Sequence, residues 1–162
     1  MSSENDKWLR ETFEQHRAFL HDKQLANETA AAKDDDFARQ YIAHRNAVIA
    51  PTLRKLKALV GEYGHDLVID DEVGDANPDI AKRGSVRATL MLQGYDQTYK
   101  SACPQLGFSA NCASRTIAVY ASDRVPHKKG VSGQQAARTV DELTANKIEE
   151  IFLGIMQRAL VH

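Results

Sequence analysis

The chain is short of the residues on which most chemical readings rest. It has 2 cysteines and 4 prolines among 162 residues, and aromatics make up only 7%. Two cysteines, Cys103 and Cys112, are too few for a disulfide framework at this size, which points to a cytoplasmic protein. No apolar run approaches the ~18 residues of a membrane span, and the opening MSSENDKWLRE is polar, unlike a signal peptide. Neither sign of charge dominates: 21 basic residues face 22 acidic ones, so nothing global draws the chain to nucleic acid or an anionic membrane.

Catalytic signatures are missing too. Neither G-x-S-x-G, nor a P-loop, nor G-x-G-x-x-G occurs, so acyl transfer, phosphoryl transfer and dinucleotide binding lose their best markers. His16, His21, His44, His65, His127 and His162 are scattered without helical ligand spacing, and with the two cysteines they form no recognisable zinc set. The acidic run D-D-E-V-G-D lacks the alternating ligands of a calcium loop. The expectation is a protein without metal or cofactor that is not an enzyme.

What the chain does have is long helical periodicity. Over residues 34–63, Ala38, Tyr41, Ile42, Val48, Ile49, Leu53, Leu56, Leu59, Val60 and Tyr63 share one wide face at 100° per residue. Pro51 falls on the opposite side, where it can bend the helix without entering a core. Ahead of this stretch, Leu9, Phe13, His16 and Leu20 recur at 4-3-4 spacing, the seam of a coiled-coil-like pair. A turn near Asn27 or just before Asp34 would fold residues 3–63 into a helical hairpin, with Gly61 and Gly64 closing its second helix.

The period then changes. His65 to Asp70 reads as a short strand and Ser85 to Tyr95 as an alternating one, followed by strands around Leu106–Ala110 and Thr116–Ala121. Residues 123–135, DRVPHKKGVSGQQ, read as an irregular loop. Thr144 is placed as the N-cap of a last helix, with Leu143 and Ile148 as a hydrophobic staple. The predicted fold is α+β: a hairpin over 1–63, then an antiparallel meander of 3–4 strands and a packed C-terminal helix over 64–162, in one folding unit.

A long amphipathic hairpin needs cover, and a second copy of the chain supplies it most simply. The expected partner is therefore the chain itself, as a dimer, with Phe13, Leu20, Phe37, Tyr41, Arg45 and Val48 at the interface. Arg45, charged and on the apolar face, must either pair with an acid (Glu11, Glu14 or the acidic stretch 66–79) or serve as a polar register device between subunits. An unknown protein partner is compatible with the same surface, which makes the chain an interaction or adaptor module.

The alternative is a pocket for a small anion between the sheet and the 123–135 loop, using Arg87, His127 and Lys128. Residues 81–140 carry nine basic residues and two acidic ones beside the acidic stretch of 66–80, an uneven distribution that neutralises itself within the fold on the simplest reading. A third reading, weak single-stranded nucleic-acid binding on the basic sheet face, suffers from a shortage of stacking aromatics.

Overall fold

The computed structural model describes residues 3–71, 84–95, 98–126 and 130–160. Helix α1 runs over Ser3–His44, a π-helical turn over Arg45–Ile49, and helix α2 over Ala50–Glu62. Strands β1 (Asp66–Asp71), β2 (Val86–Met91), β3 (Gln105–Asn111), β4 (Thr116–Ser122) and β5 (Ser132–Gln134) follow, and helix α3 covers Ala145–Leu160. Two compact units emerge, Met1–Asp36 and Phe37–His162.

The expected hairpin turn is absent: residues 24–36 are helical throughout. The reason is local. No glycine or proline occurs before Pro51, and the stretch QLANETAAAK is rich in strong helix formers, so nothing there breaks the backbone ladder. The first unit is a single helix, roughly 50 Å of it at 1.5 Å per residue.

Just before Pro51, where a bend was expected, the helix widens into the π turn. Proline has no N–H, and its ring crowds the carbonyl four residues back. A wider turn accommodates that: the Ala50 N–H reaches back five residues to the Arg45 carbonyl, and Pro51 sits exposed in the first turn of α2. α2 then ends in a Schellman motif. His65 N–H bonds to Val60 O at 3.2 Å and Gly64 N–H to Gly61 O at 3.1 Å, with Gly64 at φ 83°.

The five strands form one antiparallel meander in the order β1-β2-β3-β4-β5. One strand more than expected is present. β5 lies inside the segment read as an irregular loop, because Ser-Gly-Gln carries no strand-favouring side chain and holds its place through pairing with Tyr120–Ser122 alone. Leu67, Val86, Ala88, Leu90, Leu106, Phe108, Ile117 and Val119 alternate onto one face and are buried. They form the core with Leu53, Leu56 and Val60 of α2 and with Ile148, Phe152 and Ile155 of α3. Thr144 caps α3 as expected, its Oγ1 accepting from Lys147 N–H at 3.2 Å, while Leu143 and Ile148 are both fully buried.

Among the described residues no helix is long and apolar enough to cross a membrane.

Candidate functional site

The sheet's other face carries the polar side chains, and its register lines five of them up. Asp70 lies opposite Arg87, Arg87 opposite Gly107, Gly107 opposite Tyr120, and Tyr120 opposite Gln134, one residue from each strand. Because successive side chains alternate between faces, the row lies on the side away from the core. Gly107 at its centre has no side chain, so the Arg87 guanidinium leans across β3 and sits 5.3 Å from the Tyr120 ring centroid. A Cβ at Gly107 would lie 3.7 Å from both Arg87 Nε and Tyr120 Cβ.

This row lines a cavity of about 440 Å³, which Ser85, Ser109 and Ala118 also border. Residues 99–104 are tied to the sheet: Cys103 and Pro104 are buried, Gln105 Nε2 donates to Lys100 O at 2.9 Å, and Leu90 N–H donates to Pro104 O at 2.9 Å. The acids at the edge are matched. Lys100 Nζ donates to Asp70 Oδ2 at 3.1 Å, and Arg45 Nη1 stands 3.6 Å from Asp71 Oδ1. Chemically the face offers a planar cation held over a ring, an amide and hydroxyls.

Of the predicted ligand residues, the structure places Arg87 in the lining of this cavity, while His127 and Lys128 lie outside the described residues. The 123–135 segment does contribute, through Gln134. Asp70, Gly107 and Gln134 were not anticipated. A glycine inside an otherwise good strand was the available signal, since it often marks a close approach. The row itself depends on register, which single strands do not reveal.

The predicted interface residues separate into two groups. Phe13 and Leu20 are exposed, at 66% and 51%. Phe37, Tyr41 and Arg45 are instead inside the core of the second unit, and Val48 packs against it. Tyr41 Oη donates to Gly84 O (2.9 Å) and also approaches Phe108 O (3.2 Å), and Arg45 Nη1 donates to the same Gly84 carbonyl at 3.2 Å. Gly84 is required there: a Cβ would come within 2.8 Å of Ile42 Cδ1, at a φ of 47°. Burial pushes the Tyr41 phenol well above its ordinary range; Arg45 opposes the shift and Asp71 adds to it. Arg45 thus pairs with the acidic stretch, at Asp71, rather than with Glu11 or Glu14.

Two apolar surfaces stay open. Trp8, Phe13, Phe19, Leu20 and Leu25 are all exposed along α1, with the His16 and Phe19 rings stacked at 6.4 Å. In the second unit Leu59 and Tyr63, expected on the core face, are exposed and line a groove of about 750 Å³ with Leu153 and Leu160 of α3. Cys103 is buried and Cys112 half-buried. Among the described residues no three His, Cys, Asp or Glu side chains converge as a metal site.

No protein-family model, no curated protein and no solved structure matches this chain.

Proposed function

We propose that the chain is a cytoplasmic, non-enzymatic interaction module that pairs with a second copy of itself through the first part of α1. The observation that carries this reading is the exposure of five large apolar side chains on a helix whose own unit, among the described residues, buries none. A helix in water owes most of its stability to packing of its apolar face, so the part of α1 in the first unit lacks its main source of stability until something covers that face.

A second copy suits that face in three respects. The 4-3-4 spacing of Leu9, Phe13, His16 and Leu20 is a seam that can interdigitate with its own image in a two-fold pair. Residues 3–25 hold four basic and five acidic residues, so two such helices do not repel strongly. An aromatic side chain offers about 150–250 Å², and covering the exposed parts of Trp8, Phe13, Phe19, Leu20 and Leu25 on two copies removes about 1,000 Å² from water. That is the lower bound for a specific interface.

Trp8 is the chain's one tryptophan and sits beside this seam, so its emission reports the pairing directly. Dilution should shift Trp8 emission to the red and lower the helical circular dichroism in the same concentration range. If both signals stay flat from high micromolar to nanomolar chain, the helix does not depend on a second copy and the reading is wrong.

A further inference from the structure

We propose that the open face of the sheet binds a small molecule through an oxyanion, a carboxylate or a phosphate seated on Arg87. The inference is separate from self-association, since every residue it uses lies in the second unit.

Arg87 is exposed on the central part of the sheet, and its described partner is the Tyr120 ring. This cation–π contact occupies none of the N–H donors with a hydrogen-bond acceptor. Among the described residues none of those donors has a hydrogen bond or ion pair. A guanidinium fork placed against a ring is suited to a bidentate carboxylate or phosphate, the geometry that arginine serves best.

The local charges point the same way. Asp70 is held by Lys100 and Asp71 faces Arg45, so each acid bordering the cavity already has a cation. Arg87 therefore stands as an unmatched positive charge among the described groups of the cavity. A cation in that position attracts an anion and fixes where its charge must lie.

Shape completes the argument. The cavity of about 440 Å³ falls in the range of small-molecule sites. Gly107 leaves the floor flat between Arg87 and Tyr120. Gln134, from the edge strand, brings an amide to the far side of the row, where it can read polar atoms on the body of the ligand. The residues come from five strands of one rigid sheet, so little ordering is needed on binding.

The test is a nitrogen–proton NMR titration of the full chain with benzoate, with phenyl phosphate and with neutral benzamide. Saturable shifts of the Gly107 amide and the Arg87 Nε–H are expected with the two anions and not with benzamide. A tighter fit of benzoate would identify a carboxylate site, and a tighter fit of phenyl phosphate a phosphate site. Arg87→Gln should weaken both by about tenfold or more, and Arg87→Lys should also weaken them, because it keeps charge but loses the fork. Unchanged core amides in these variants show that the fold survives. The proposal is overturned if neither anion moves the Gly107 signal by about 10 mM, a weakness beyond any specific site. It is equally overturned if benzamide binds as well as benzoate, or if Arg87→Gln binds like the parent chain.

Discussion

Replacing Tyr41 by Phe tests how the second unit is held together. The ring is fully buried, and its single hydroxyl proton serves the Gly84 carbonyl, with the Phe108 carbonyl also in reach. Tyr41→Phe keeps the packing and removes that donor. Gly84 O keeps the guanidinium of Arg45, so the loss is that of one buried hydrogen bond, about 1.5 kcal/mol at neutral pH. The melting temperature should fall by about 5 °C.

The pH dependence makes the test sharper. In the folded chain the Tyr41 phenol is held above its unfolded value, so the folded state keeps its proton where the unfolded state loses it. Its contribution is whole below the unfolded value near pH ~10 and shrinks by ~1.4 kcal/mol per unit as pH rises past it. Phe does not titrate. The gap between parent and variant should thus be about 1.5 kcal/mol at pH 7 and near zero at about pH 11. Urea unfolding at several pH values, followed by circular dichroism, measures this difference while the other titrating groups cancel. A gap that is the same at both ends of the range would refute the assignment of a buried, neutral Tyr41.

Other substitutions probe separate parts of the fold. Gly64→Ala forces a side chain into φ 83° and brings its Cβ within 2.6 Å of Gln93 Oε1; the amide can swing away, the backbone cannot, and denaturant unfolding should show a loss of about 1–2 kcal/mol. Thr144→Ala removes the cap on α3, whose Oγ1 accepts from Lys147 N–H, and should cost about 1 kcal/mol in the same assay. At Asp66 the carboxylate accepts from Lys57 Nζ at 2.8 Å, and this bond, opposed in part by desolvation, holds its pKa below the ordinary value. Its stabilisation is therefore present above pH ~4 and lost as pH falls through the folded value. Asp66→Asn should be less stable than the parent at pH 6, by under about 1 kcal/mol because the pair is exposed, and equal to it near pH 2.

The α+β class, the meander and the capped last helix were legible in the sequence because each rests on local periodicity. Val86, Ala88 and Leu90 alternate whatever surrounds them, and Thr144 caps through its immediate neighbours. Arg45 was legible as a buried charge on the same ground, and its partner proved to lie in the acidic stretch. The hairpin turn was read from the polar and small residues around Asn27 and Asp34, and the helix propensity of residues 24–36 outweighs that signal. β5 escaped notice because its three residues hold their place only by pairing with β4. The row from Asp70 to Gln134 is a product of five strand registers, and no pattern along a single segment encodes it. Tyr41 was assigned to a subunit interface because an apolar helix face alone does not say whether a sheet or another chain will cover it.

Sedimentation equilibrium of the full chain beside Phe13→Glu/Leu20→Glu bears most directly on self-association. Both side chains are exposed, so the double variant should leave the second unit folded. The parent should sediment at twice its 18.0 kDa chain mass at micromolar concentration, and the variant at that mass itself. A parent chain that stays at 18.0 kDa, or a double variant that still pairs, would contradict the account.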